Sequence, residues 1–271
     1  MSTFVLNSFL GSVVPSECWD ITNMSFNQSF SIASYDSTST KLFFNPDGTK
    51  MFVLGAITKK VFEFTLSTAW RIHTATKTNE FTLTGLITNP YGLFFGDNGT
   101  RMFICGSGGT GGIEPYTLSG SWDISSPTLG AKAYNNTLDI FFKADGTILY
   151  YMTSGTNNLV QVHLGTAWDM TSVTSTQHYN IGAPSNHRSF YIRNDGEMLY
   201  TTREVGATTS FITQSPLNTP WDITKKGGDT VVEVTSQEPR TWGTHLKEDD
   251  GTKLYTIGLN NDNVNEYDLV C

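Results

Sequence analysis

The chain has 271 residues, of which 15% are charged, and its formal net charge is −8 at pH 7. A charged fraction below the usual ~25%, without any cluster of Lys or Arg, argues against nucleic acid or an anionic membrane surface as a partner. No apolar run approaches the ~20 residues that a transmembrane helix needs, so we expect no membrane insertion.

Residues 1–17 precede the first repeated feature of the sequence. We predict that they form an N-terminal arm, which can dock on other proteins, and that residues 18–271 form one domain. The start, from Met1 to Phe4, has no basic segment followed by a long apolar stretch. We therefore expect no secretory signal peptide.

From residue 42 onward, β-rich apolar runs occur in pairs around Asp-Gly or Asn-Gly dipeptides. This arrangement is the strongest short-range signal for a β-hairpin. The five turn glycines are Gly48, Gly99, Gly146, Gly196 and Gly251. A third run ends at a Leu and a fourth, weaker run follows a Trp. Each period of roughly 50 residues therefore contains four predicted strands, as in a propeller blade.

A tryptophan follows each of the first four turn glycines, after 22 to 25 residues. The fifth would fall beyond Cys271, and its counterpart is Trp19, near the start of the chain. A repeat that begins near one terminus and is completed at the other predicts a closed ring. The sequence thus predicts an all-β fold: a five-bladed β-propeller of four-stranded antiparallel blades, in which the N-terminal segment completes the last blade and protects its edge.

The same closure places Cys18 and Cys271 next to each other. We predict that they can form a disulfide that seals the ring, and two buried or frayed thiols are the alternative. In the simple loop-entropy model, a cross-link of this length contributes on the order of 4–5 kcal/mol. Cys105 lies on a second strand and is interpreted as a small core residue.

Function is expected where the repeats differ, in the segments that enter the inner strands, because these gather at one mouth of the ring. The predicted ligand-binding residues are Tyr35, Asn89, Tyr91, Tyr134, Asn136, His187, Arg188, Arg240 and Trp242. Aromatic faces that stack on sugars, beside amides that bond hydroxyl groups, favour a glycan-binding mouth. Ordinary polar turns are the alternative. Trp242 is the main candidate because it departs from the blade period, and His187 with Arg188 is next.

The sequence offers little for catalysis. Glycoside hydrolysis needs two suitably spaced carboxylates. The residues seven positions before the turn glycines are expected to face the channel, and they are Lys41, Gly92, Asp139, Ser189 and Thr244. Only Asp139 is acidic, so its partner would have to be Glu204 or Asp36. No metal-ligand or nucleophile pattern stands out, and we predict a protein that is not an enzyme and has no cofactor or metal.

The segment from Phe44 to Val53, Phe-Asn-Pro-Asp-Gly-Thr-Lys-Met-Phe-Val, resembles the Asp-Gly-Thr propeller repeats of bacteriophage and environmental bacterial proteins. The segment from Phe62 to Trp70 continues the resemblance, which covers nearly the whole ring. It implies a virion surface protein (a fibre, decoration or host-adsorption component) that is extracellular after host lysis. The implied partners are other virion proteins and a host surface glycan. A purely structural virion module and a five-bladed glycoside hydrolase are the alternatives.

Overall fold

A computed structural model describes residues 18–84, 87–109, 111–134, 136–156, 158–182 and 186–270. Within these ranges the chain forms five four-stranded antiparallel sheets. They are the blades of a five-bladed β-propeller, and the predicted fold is confirmed. The described part of the chain has three short 3-10 helices, at Ile72–Thr74, Asp97–Gly99 and Ile223–Lys225. It contains no helix long and apolar enough to cross a membrane.

The blades are numbered in the order of their inner strands, and each is given from the channel outward. Blade one contains β2 (Ser39–Phe44), β3 (Lys50–Gly55), β4 (Lys60–Leu66) and β5 (Ala75–Thr82). Blade two contains β6 (Ile87–Gly96), β7 (Arg101–Gly109), β8 (Gly112–Thr117) and β9 (Thr128–Leu129). Blade three contains β10 (Thr137–Phe142), β11 (Ile148–Thr153), β12 (Asn158–Leu164) and β13 (Val173–Asn180).

Blade four contains β14 (Asn186–Ile192), β15 (Met198–Val205), β16 (Thr209–Pro216) and β17 (Thr230–Glu233). Blade five contains β18 (Thr241–Leu246), β19 (Lys253–Gly258), β20 (Asn263–Asp268) and β1 (Ser25–Ser31). The three inner strands of the blades are mostly buried, whereas the outermost strands are largely exposed. The core therefore lies between neighbouring blades and along the channel.

In blades one, three, four and five, the Asp before the turn glycine accepts a hydrogen bond from the backbone N–H two residues further on. In blade one, the Asp47 carboxylate accepts hydrogen bonds from the Thr49 hydroxyl at 2.6 Å and from its backbone N–H at 2.9 Å. These bonds lower the pKa of Asp47. The backbone N–H of Trp70 donates to the Gly48 carbonyl at 2.9 Å. The repeated Gly-to-Trp spacing thus encodes a contact inside each blade.

The N-terminal segment completes blade five, as predicted, because β1 pairs antiparallel with β20 along its whole length. Trp19 lies against Gly251, where an added Cβ would overlap the indole ring. The Tyr200 hydroxyl donates to the Trp19 carbonyl at 2.7 Å and ties the segment to blade four. Blade five therefore combines one strand from the N-terminal end of the domain with three from the C-terminal end, and this closes the ring.

Of the cysteines that the structure describes, Cys18 is buried and disulfide-bonded, and Cys105 is a free thiol in the core. Cys271 lies outside the described residues, as does the predicted arm, residues 1–17. The bond between Cys18 and Cys271 stays a prediction. Peptide mapping of the unreduced, denatured protein should recover these two cysteines in one cross-linked pair and an alkylated Cys105. Alkylated Cys271 would contradict the pairing.

Candidate functional site

A β-bulge interrupts the inner strand of every blade at the same place, just before a channel-facing position. The residues that follow the bulges are Lys41, Gly92, Asp139, Ser189 and Gly243. Counting seven residues back from the turn glycine predicted Thr244 as the channel-facing residue of blade five. This prediction is wrong by one residue, because Gly243 corresponds to Lys41 of blade one and Thr244 corresponds to Leu42. The turn of blade five has seven residues between its paired strand ends, 247–253, and that of blade one has six, 45–50.

A buried ion pair spans the channel at this level. Lys41 Nζ lies 2.6 Å from Asp139 Oδ2 and 2.7 Å from Ser189 Oγ. These partners belong to blades three and four, neither of which is next to blade one. The same Asp139 oxygen accepts hydrogen bonds from the Ser189 hydroxyl at 2.7 Å and from the Phe190 N–H at 2.9 Å. Lys41 is 5% exposed and Asp139 is fully buried, so this layer closes the channel.

The two glycines of this layer give the long side chains room. A Cβ at Gly92 would lie 3.0 Å from Asp139 Oδ1, and one at Gly243 would lie 3.0 Å from the Cα of Lys41. Real Cβ atoms rarely approach other atoms so closely. Glycine at these two positions therefore leaves space for the Asp139 carboxylate and for the backbone of Lys41.

Five aromatic rings fill the channel two residues further along the inner strands. They form a closed circle of edge-to-face contacts with centroids 5.0 to 5.8 Å apart: Phe43, Phe94, Phe141, Tyr191 and His245. Edge-to-face packing is favourable because the ring edge is positive and its face negative. Burial and then Lys41 lower the pKa of His245 to about 3, so its ring is neutral at pH 7. The remaining void is about 10 Å³, at the limit for one water molecule.

The buried ion pair and the aromatic circle together form the plug of the channel. Three predicted ligand-binding residues meet on the mouth side of this plug. Tyr91, Arg188 and Trp242 are the bulged residues of blades two, four and five, and bulges commonly re-aim side chains. Arg188 Cζ lies 4.5 Å from the centroid of the Trp242 ring, and the Tyr91 and Trp242 rings are 5.2 Å apart. All three side chains are half-buried. We call these three residues the mouth patch.

Glu204 holds the mouth patch together from below. Its carboxylate accepts a hydrogen bond from Trp242 Nε1 at 2.9 Å and two from Arg188, at 3.0 and 2.9 Å. Arg240 Nε lies 3.5 Å from the same carboxylate. Glu204 is 1% exposed, so it fixes the indole and the guanidinium without being available to a ligand. The patch thus presents a fixed aromatic surface beside a paired cation.

The other predicted residues lie outside this patch. Asn89 and Asn136 are exposed at the same end of the inner strands, and Tyr134 packs against Tyr151 with centroids 4.8 Å apart. Tyr35 faces the outer part of blade one, 5.2 Å from the Phe64 ring. His187 is 7% exposed, and burial lowers its pKa to about 4. His187 is therefore buried and does not join Arg188 at the surface of the mouth.

The carboxylates considered for hydrolysis are all occupied by internal bonds. Asp36 accepts from the Thr38 N–H at 2.7 Å and from the Thr58 hydroxyl at 2.6 Å. Asp139 is bound in the plug and Glu204 in the support of the mouth patch. All three are at most 3% exposed. Because a glycosidase needs both carboxyl groups in contact with the sugar, this arrangement does not form a hydrolytic pair. Among the described residues, no cluster of His, Cys, Asp or Glu could hold a metal ion.

Sequence reasoning missed a cavity on the opposite face, where the inner-strand turns meet. It has a volume of about 140 Å³. Every blade contributes to its rim: blade two contributes Asp97, Asn98 and Gly99, and the other blades contribute Pro46, Ala144, Asn194 and Glu248. Phe43, Phe94 and Phe141 of the aromatic circle, with Trp122 and Trp168, form its apolar walls. We call it the turn-face cavity.

No protein-family model matches the chain, and no curated protein matches it. Among solved structures, a luciferin-regenerating enzyme is similar with a TM-score of 0.55 and 11% identity, covering 89% of this chain and 95% of that one. A candidate 6-phosphogluconolactonase from Bacteroides uniformis has a TM-score of 0.44 and 11% identity, covering 78% and 61%. The first likeness supports a shared fold and carries no information about chemistry.

Proposed function

We propose that the chain is a non-catalytic contact protein of a bacteriophage virion surface, which meets a host glycan or another protein through the mouth patch. The observation that carries the contact role is the Trp242 ring. It is fixed by Glu204 and Arg188 and remains half-exposed above a closed channel. A preorganised aromatic face loses little entropy when a sugar ring stacks on it. The virion setting rests on the Asp-Gly-Thr resemblance alone.

The closed channel supports a role without catalysis. The buried ion pair and the aromatic circle leave no passage along the axis, so a ligand can approach only the outer surfaces of the ring. The carboxylates near the mouth are occupied by Lys41, Arg188 and backbone groups. The two similar structures carry the names of enzymes, and those names apply to those proteins. A purely structural virion module is the second candidate, because the same plug makes the ring rigid without requiring a ligand.

Glycan-array binding of the purified protein tests the mouth patch, with Trp242→Ala as the variant. Phe211→Ala is a matched control, because Phe211 is also half-buried and has an arginine, Arg203, 4.7 Å from its ring centroid. We expect saturable binding that falls at least tenfold in Trp242→Ala and is kept in Phe211→Ala. The scale is taken from the stacking of nucleic-acid bases on aromatic side chains, which is worth about 1–3 kcal/mol. Circular dichroism must show both variants folded.

The other results of the glycan-array experiment would each contradict part of the proposal. Equal loss in both variants would remove the mouth patch as the binding surface. No binding by the folded wild-type protein would favour the structural module, and release of sugar from the array would restore the hydrolase. Immunogold labelling of phage particles that carry the gene tests the virion setting separately, and an absence of label on intact particles would contradict it.

A further inference from the structure

The turn-face cavity is a built site on the face opposite the mouth patch. A cavity of about 140 Å³ compares with the engineered cavity of about 150 Å³ that holds benzene in another protein. Its walls are aromatic, and its rim lies where the five turns meet the axis. A small ligand could therefore sit against Phe43, Phe94 and Phe141 of the aromatic circle, beside blades two and three, without entering the closed channel.

The rim is acidic because two of its turn residues are carboxylates, Asp97 and Glu248. Glu248 lies two residues after Leu246, the last paired residue of its inner strand. Pro46, Ala144 and Asn194 lie at the same place in blades one, three and four, and none of them is charged. None of the described residues that line the cavity is basic. Lys247, next to Glu248, is engaged with Asp249 and Asp250.

Glu248 lies in an apolar setting that lacks a counter-charge. Desolvation raises its pKa to about 7, a bond from Asn194 opposes this, and Asp249 adds to it. Burial raises the pKa of Tyr191, and the charge of Glu248 adds to this rise. The Tyr191 hydroxyl is buried, 4% exposed, and has no hydrogen-bond partner among the described residues. The Glu248 carboxyl group and several aromatic faces therefore line the cavity, and the Tyr191 hydroxyl lies buried in the adjoining aromatic circle.

We propose that the turn-face cavity binds a small organic ammonium ion, which Glu248 neutralises and the aromatic walls surround. Aromatic faces attract cations through the ring quadrupole, and desolvation strengthens this attraction. A bare metal ion would need more oxygen ligands than the rim offers. A neutral ligand would leave the carboxylate without a counter-charge. The proposal does not depend on the mouth patch and concerns a separate surface.

Choline is the probe, and 3,3-dimethylbutan-1-ol is its neutral carbon isostere. Binding is followed by calorimetry and by the fluorescence of the tryptophans, two of which, Trp122 and Trp168, line the cavity. At pH 8 we expect choline to bind at least tenfold more tightly than the isostere. Glu248→Gln should reduce the affinity for choline several-fold and leave the affinity for the isostere unchanged, because the aromatic walls still attract the cation. Asp249→Asn is the matched control, because it removes a charge from the same turn at a side chain that is 59% exposed.

The pH profile separates charge recognition from simple burial. Glu248 faces Asn194, Asp249 and Tyr191, and Asp97 lies across the cavity. Because the pKa of Glu248 is raised to about 7, the affinity for choline should fall several-fold between pH 8 and pH 6. The affinity for the isostere should not change. Equal affinities for both probes, an equal loss in Asp249→Asn, or no saturable choline binding would each overturn the proposal.

Discussion

Replacing Lys41 by Met should destabilise the propeller by about 3–5 kcal/mol, because it leaves Asp139 as a buried, uncompensated carboxylate. Because Met fills a volume similar to that of Lys, the decrease in the free energy of unfolding measures the loss of the charge more than a loss of packing. The carboxylate keeps bonds from the Ser189 hydroxyl and from the backbone N–H groups of Phe190 and Ile140. These bonds place the expected loss near the lower end of the range. Equilibrium unfolding in urea measures it.

Two further variants identify the cause. Lys60→Met removes a lysine from the Lys60–Glu80 pair, whose side chains are 31% and 34% exposed, and should cost under about 1 kcal/mol. The double variant Lys41→Met/Asp139→Asn should be more stable than Lys41→Met alone, because it removes the second charge as well. If Lys41→Met costs no more than Lys60→Met, the ion pair is not what holds the channel closed.

The fold could be predicted from the sequence because its signals are local and repeated. Each Asp-Gly turn fixes a hairpin, and the Gly-to-Trp spacing fixes the return of the chain to that turn. The displaced Trp19 indicated that β1 completes blade five, since a closed ring is the arrangement that restores the spacing. None of these steps required knowing which way a side chain points.

The site was predicted less well because it depends on register and on contacts between blades. Counting back from the turn glycines gave four of the five channel positions, and the longer turn of blade five displaced the count from Gly243 to Thr244. The sequence named Tyr91, Arg188 and Trp242, but their shared origin in β-bulges is visible only in the strand pairing. Nothing in one blade indicates that Glu248 shares a cavity with Asp97.

Replacing Gly146 by Ala should destabilise the protein by about 2–5 kcal/mol. Gly146 has a φ of +71°, where an L side chain costs roughly 1–2 kcal/mol. Its new Cβ would also overlap the Trp168 indole, and overpacking of this kind typically costs about 1–3 kcal/mol. Gly155 provides the control, because its φ is +79° and an added Cβ would meet nothing within 4 Å. Gly155→Ala should therefore show the strain without the overlap.

The same pair of variants tests whether a change in a turn also alters the turn-face cavity. Trp168 lies against Gly146 and also lines the cavity, so the Ala side chain should displace the indole from both. We expect a changed tryptophan spectrum and weaker choline binding in Gly146→Ala, with neither change in Gly155→Ala. Equal stability losses in the two variants would show that the tryptophan yields without cost. The Gly-to-Trp contact would then specify the path of the chain while contributing little to the free energy of folding.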